Sequence, residues 1–306
     1  MIIYFNENVR YTPWGGGIHF LADLICFLKE RGHQITFKLK KKIDLIFIIT
    51  NFRELNPKIL KYLEKYPDTK VIQRINISDI SKNVNYQDKL VLDINKIADE
   101  TIFISKWLAE YYKKKGFNRS YHVIYNGCNR NYFFPKENKE LGEKFNLVTH
   151  HWSNNWMKGF DIYTALDKIL VNRKDIFFTY IGNYTDKYKS NNTKLISPLY
   201  GEKLGEELRK YDVYLTASRW EGCGMHHIEG ASCGLPVLYH RDGGGLNEAC
   251  KNYGIEFNDI DSLLDAIGKI KENYYYYRNK IDYNFLSAER CSKDYYNIIL
   301  NTLDSN

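Results

Sequence analysis

Short apolar runs alternate with amphipathic stretches of helix length along the chain, and this alternation limits the folds open to it. IIYF (2–5), DLIFIIT (44–50), KVIQRI (70–75), TIFIS (101–105) and HVIY (122–125) read as buried strands. Residues 18–31, 56–66, 87–98 and 106–116 read as the helices between them. The pattern then restarts. FNLVTH (145–150), IFFTYIG (176–182), KLIS (194–197), VYLTAS (213–218) and PVLYH (236–240) form a second series, with helices at about 159–171, 202–210, 225–233 and 262–272. Alternation of this kind argues for parallel sheets covered on both faces. The expected class is α/β, with two doubly wound parallel-sheet domains facing each other across a cleft. Ligands of such sheets bind at the carboxyl ends of the strands.

NRNYFFPKENKELGEKF (129–145) is polar, contains a proline and has little periodicity, so it reads as the linker between the two series. The expected domains are therefore 1–140 and 141–285, followed by a C-terminal segment at 286–306. The tyrosine-rich stretch 274–303 reads as helical and is a candidate to pack back across the first domain.

The chain has 306 residues, 44% of them hydrophobic, enough for two cores. It has no apolar run long enough to span a membrane. The opening MIIYFNENVR lacks the basic lead and apolar stretch of a signal peptide, so a cytoplasmic location is expected. Cysteines at 26, 128, 223, 233, 250 and 291 include no Cys-x-x-Cys pair and read as reduced core or pocket residues. The net charge of +7 is partly local, in FKLKKK (37–42) and YYKKKGFNR (111–119). Such runs read first as solvated faces. Their functional use would be peripheral contact with an anionic membrane, on its inner face, or with an acidic acceptor. Nucleic acid is not expected, because no recognition motif accompanies the charge.

Three elements carry chemistry. Gly15, Gly16 and Gly17 follow a strand region and open a helix. Glycines there let backbone approach a ligand, and the helix N-terminus favours an anion; the plainer reading is a tight strand-to-helix turn. In HHWSNNWMKGFDIY (150–163), Lys158 precedes a helix and could reach a phosphate as a point charge, or simply lie on the surface. His150 and His151 are adjacent on a strand and point to opposite faces, which argues against a shared metal. No ligand spacing supports zinc at these residues, His226, His227 or Cys223, so no metal is expected. The third element, RWEGCGMHHIEGASCGLPV (219–237), places Glu221 and Glu229 around a glycine-broken turn with seven residues between them. Glu221 falls on a loop after a strand. Glu229 falls in a helix of small residues whose N-terminal amides, near Gly224 and Met225, would face an anion. A carboxylate on that inner surface needs donors, and sugar hydroxyls are suitable. The plainer reading is two solvated glutamates.

Together these residues resemble the Glu-x7-Glu signature of the retaining nucleotide-sugar glycosyltransferases of family four, the glycosyl transferases group 1. GGGIHFLADL, FISKWLAEYYKKKG, VIYNGCN, MKGFDIY, LRKYDVYLTASRWEG and DGGGLNE are similar to the family's other segments, in the same order. The resemblance implies the GT-B fold, with an acceptor-side first domain and a donor-side second domain. It implies that Glu229 binds the ribose hydroxyls of a nucleotide-diphosphate sugar and that Glu221 touches the sugar. Gly224, Met225 and His226 would contact the sugar and diphosphate, Lys158 would neutralise the diphosphate, the Gly15–Gly17 loop would close on it, and Asn126 would lie near the cleft. The acceptor would be a glycan or lipid-linked hydroxyl, and no cofactor or metal is implied. The family carries an arginine shortly before the lysine. HHWSNNW has none, leaving His151, Ser153, Asn154 or Arg74 as substitutes. That departure, with the short first domain, keeps open an alternative: a non-catalytic GT-B-fold subunit that acts as a binding or activating partner. A sugar phosphorylase or epimerase of the same fold is a third reading, which the Glu-x7-Glu context disfavours.

Overall fold

The structure, a computed structural model, describes all residues except 11, 13–14, 40–41, 50–54 and 305–306. Lys40 and Lys41 of the first basic run, and Thr50 of the expected strand 44–50, therefore lie outside the described residues. The first half runs β1 (Ile2–Phe5), α1 (Gly16–Glu30), β2 (Gln34–Thr36), β3 (Leu45–Ile49), α2 (Pro57–Lys65), β4 (Lys70–Ile75), α3 (Asp79–Lys82), α4 (Gln87–Asn95), β5 (Glu100–Phe103), α5 (Lys106–Lys113) and β6 (His122–Val123). The second runs β7 (Phe145–His151), α6 (Phe160–Ile169), β8 (Ile176–Gly182), β9 (Lys194–Ile196), α7 (Gly201–Leu208), β10 (Val213–Thr216), α8 (Met225–Ser232), β11 (Val237–His240), α9 (Gly245–Cys250), β12 (Gly254–Phe257), α10 (Ile260–Glu272), α11 (Tyr274–Asn279) and α12 (Ala288–Asp304).

The strands form two six-stranded sheets, ordered β2-β1-β3-β4-β5-β6 and β12-β11-β10-β7-β8-β9. Every pairing is parallel. The central strands are apolar on both faces, as β3 shows with all five residues buried, which is the pattern a helix-covered parallel sheet requires. The strand order reverses between β1 and β3 in the first sheet and between β7 and β10 in the second. Ligand crevices open at such reversal points, outside the carboxyl ends of the strands.

Three parts of the chain differ from the sequence reading. β2, β12, α3 and α9 are additional elements. The stretch 274–303, expected to be helical, is interrupted: two helices are separated by residues 280–287, where Ile281 and Leu286 turn into the core. The polar segment 129–145 is pinned to the second half: Phe133 is buried, and the Arg209 guanidinium donates to the Tyr132 carbonyl at 2.8 Å.

α12 packs on the first sheet, where Cys291, Tyr295 and Ile299 join Leu21, Leu24 and Phe47 in one apolar cluster. In the second basic run, Lys113 pairs with Glu110 at 2.7 Å and Lys115 lies 3.6 Å from Asp88. Among the described residues, no helix is long and apolar enough to cross a membrane.

Candidate active site

The two reversal points face each other, and a cavity of about 780 Å³ lies between them, within the ~300–1,000 Å³ usual for small-molecule sites. Its lining draws on both halves. Gly15–Gly17, His19 and Lys82 come from the first; His150, His151, Lys158, Glu221, Gly224–His226 and Glu229 from the second.

Glu229 is the most buried of the acids that line the cavity. It is 3% exposed, on a helix whose eight residues are all buried. α8 can sit so deep because Gly230 has no side chain: a Cβ there would lie 2.2 Å from the Tyr214 ring. His150, at the end of β7, donates from Nε2 to Glu229 Oε2 at 2.7 Å. His19, from α1 of the other half, places Nδ1 3.5 Å from Glu229 Oε1. Burial alone would raise this carboxyl's pKa, but the hydrogen bonds and charge of His150 and His19 outweigh it and hold the group at about 2. Glu229 is thus an ionised acceptor at neutral pH, gripped by one histidine from each half.

Glu221 lies on the loop after β10 and is ion-paired with Lys158 of the turn Trp156–Lys158. Burial pushes its pKa up, but the Lys158 and Lys82 ammonium groups reverse this and hold it at about 2. Its backbone is fixed on both sides: its amide donates to the Gly243 carbonyl at 3.0 Å, and the Gly245 amide donates to its carbonyl at 2.8 Å. The preceding Trp220 is held in the left-handed region at φ 53°. That is unusual for a bulky residue and is a form of strain that collects at functional sites.

Two helix N-termini open onto the cavity. α8 starts at Gly224 and α1 at Gly15, and neither has a side-chain cap. Uncapped first-turn amides and the aligned dipoles favour an anion. The two starts touch: a Cβ on Gly16 would lie 2.4 Å from Met225 Cγ. Glycine at 16 is what lets the halves approach this closely.

The remaining expected site residues lie at the cavity but are largely engaged with protein. His226 Nε2 is 3.0 Å from Thr216 Oγ1, and His151 Nε2 is 3.1 Å from the Tyr163 hydroxyl. Burial pushes both imidazoles well below their ordinary value of 6.5, so both are neutral. Asn126 accepts from Arg74 Nη2 at 2.8 Å and donates to the Cys223 carbonyl at 2.6 Å, bridging the halves beneath the cavity. Arg74 is 1% exposed, lies over the Phe20 ring and donates from Nε to the Tyr295 hydroxyl. Ser153 and Asn154 line the rim. Among the described residues, no group of three His, Cys, Asp or Glu is arranged to hold a metal ion.

His19 and Lys82 were not singled out in the sequence. A histidine inside an amphipathic helix and a lysine ending a one-turn helix have no local signature. Lys82 becomes informative only because it lines the same cavity as Lys158 and Glu221. Burial lowers its pKa and Lys158 lowers it further, while Glu221 raises it.

The family model described as glycosyl transferases group 1 matches residues 133–285, which hold the second sheet, Lys158, Glu221 and Glu229. The chain belongs to the glycosyl transferases group 1 family. Among curated relatives, the chain is similar to an uncharacterized glycosyltransferase of Methanocaldococcus jannaschii, 28% identical over 48% of this chain and 41% of the relative. It is also similar to a probable sucrose-phosphate synthase of Thermosipho melanesiensis, 28% identical over 58% of this chain and 46% of the relative. The chain thus spans less than half the length of these two relatives. Among solved structures, the group 1 chain is similar to sucrose-phosphate synthase from Thermosynechococcus elongatus, with TM-score 0.74 at 14% identity and coverage of 100% of this chain and 99% of that one. It is also similar to Anabaena HepE in complex with UDP-glucose, with TM-score 0.71 at 13% identity and coverage of 98% and 99%. At these identities the likeness shows the fold alone, and that fold is GT-B.

Proposed function

We propose that the cleft binds a nucleotide-diphosphate sugar and that the protein transfers the sugar, with retention of configuration, to a hydroxyl of a glycan or lipid-linked acceptor. The observation that carries this reading is Glu229: a buried, ionised carboxylate, facing the cavity at the β7/β10 reversal point and gripped from both halves. A ribose offers two adjacent hydroxyls to such an acceptor, and each charge-assisted bond is worth ~1.5–3 kcal/mol. The complex of the fold relative HepE with UDP-glucose supports a donor of this class.

In this reading the diphosphate lies against the first-turn amides of α8 and α1 and the Lys158 ammonium, while Glu221 accepts hydroxyls of the donor sugar. The bond between the anomeric carbon and the phosphate oxygen breaks first. The amides and the ammonium stabilise the charge that develops on the departing oxygen. The acceptor oxygen then bonds to the anomeric carbon from the same face, and its proton passes to the departing phosphate oxygen. Atoms and charge balance without a side-chain nucleophile, and the cleft supplies positioning.

The test is transfer from an α-linked nucleotide-sugar, with the product's anomeric proton coupling read by NMR. An α-linked product supports retention. A β-linked product contradicts it, and release of nucleotide that requires inorganic phosphate points to a phosphorylase.

A further inference from the structure

Glu229 lines the cavity, yet its side chain is only 4% exposed. A ribose cannot reach a carboxylate so enclosed unless a neighbour moves. Each of its oxygens has a histidine against it, and the two histidines are held very differently. His150 sits at the end of β7 with both ring nitrogens engaged. Its Nε2 donates to Glu229 Oε2 at 2.7 Å, and its Nδ1 lies 3.1 Å from the Tyr214 hydroxyl, which also accepts from the His150 amide. That imidazole is fixed by the strand and by three hydrogen bonds.

His19 is held by little. It stands in the first turn of α1, and its Nδ1 is 3.5 Å from Glu229 Oε1, at the outer limit of a hydrogen bond. Its Nε2 is buried with no hydrogen-bond partner among the described residues, an arrangement that costs free energy until the nitrogen regains water. The ring leans on that of Tyr200, the residue before α7, with centroids 4.7 Å apart and planes at 53°. A ring of the first half thus lies between the carboxylate edge and an aromatic face of the second. Of the two histidines, His19 is the one whose departure breaks least and restores most.

We propose that His19 is a gate on Glu229: it covers the Oε1 side of the carboxylate and must swing away before ribose hydroxyls can bond there. The proposal rests on the donor reading above and adds a step to it. The movement exchanges a contact between the halves for a contact with the ligand, and it returns Nε2 to water. Nucleotide affinity is then set in part by the fraction of molecules in which Oε1 is uncovered, since the apparent dissociation constant is the intrinsic one divided by that fraction. The diphosphate's partners in the donor reading, the helix amides and Lys158, do not include Glu229, so the gate acts on the nucleoside alone. The two histidines act in opposite senses: His150 aims the carboxylate, and His19 covers it.

The experiment is calorimetric titration of the full chain and its His19→Ala variant with UDP, GDP, ADP and dTDP, and with inorganic pyrophosphate. His19→Ala should bind the nucleotide about threefold or more tightly than the wild type, the reverse of the usual effect of deleting a site residue, while pyrophosphate affinity stays unchanged. His19→Ser is a second variant, and thermal unfolding checks that each is folded. Nucleotide affinity in the variants that is unchanged or weaker overturns the gate, and the weaker case would make His19 a donor-binding residue. An equal gain for pyrophosphate also overturns it, since a loosened start of α1 would move both ligands together. Nucleotide binding by the variants where the wild type shows none supports the gate. A wild type and variants that bind none of the four nucleotides overturn the donor reading, and the gate with it.

Discussion

His150 Nε2 and Glu229 Oε2 lie 2.7 Å apart although their residues are 79 positions apart in the chain. β7 delivers the imidazole, α8 delivers the carboxylate, and the Tyr214 hydroxyl accepts from the His150 amide at 3.0 Å. The pair aims the carboxylate while holding it ionised. His150→Ala is therefore expected to weaken nucleotide binding by about tenfold, the worth of one bond to a charged group. Isothermal titration of the nucleotide that binds checks this, and equal affinities would show that Glu229 is oriented without His150.

Buried imidazoles set the acid sensitivity. Burial is the largest influence on His227, and although Glu221 and Glu229 pull its pKa upward, it settles at about 3, below the ordinary 6.5. His151 and His226 are also depressed by burial. These groups are neutral in the folded chain, whereas in the unfolded chain they bind protons below pH 6.5. Their contribution to stability is complete above pH 6.5 and declines as pH falls below it, for His227 down to about 3, with a limiting slope of roughly 1.4 kcal/mol per pH unit for each. Glu221 and Glu229, held at about 2 against 4.5, add a second loss as pH falls from 4.5 towards 2. Urea unfolding between pH 8 and pH 4 should show stability declining well before the carboxylates titrate. Stability that stays flat down to pH 5 would contradict this.

His227 itself is 0% exposed, and neither ring nitrogen has a hydrogen-bond partner among the described residues. Replacing it with an apolar residue of similar bulk removes that desolvation cost, which is ~1–3 kcal/mol. His227→Leu is expected to be at least as stable as the wild type at pH 7 and less acid-sensitive. A lower urea midpoint at pH 7, with unchanged denaturant slope, would count against it.

Glu248 of α9 fastens the second half to the first. Its carboxylate accepts from the Lys106 amide at 3.0 Å, the Trp107 amide at 2.6 Å and the Tyr125 hydroxyl at 2.6 Å. A negative charge at the first turn of α5 is stabilised by the helix dipole. Glu248→Ala should cost about 2–3 kcal/mol and reduce the cooperativity between halves. Scanning calorimetry should then resolve a broadened or split transition; a sharp transition at the wild-type temperature would show that the clamp is dispensable.

The elements that were readable in the sequence are those whose chemistry is local. The central strands are continuous apolar runs, and the glycines and acids of 219–237 sit where a strand, a loop and a helix had to follow one another. What escaped notice depends on tertiary context. β2 and β12 are the edge strands of their sheets, and QIT and GIEF are too short and too polar to stand out. The break between α11 and α12 was hidden because Ile281 and Leu286 continue an apolar pattern while serving a turn. His19 reaches Glu229, and Lys82 lines the same cavity as Lys158, only because the two sheets face each other.

The most direct measurement is a thermal-unfolding panel of wild type and Glu229→Ala with UDP, GDP, ADP and dTDP. At least one of the four is expected to raise the wild-type midpoint, by the equivalent of ~2.7 kcal/mol at a hundred times its Kd. The shift should disappear in a Glu229→Ala protein that still unfolds cooperatively. A wild type unmoved by all four, or a shift that survives the loss of the carboxylate, would contradict the donor reading.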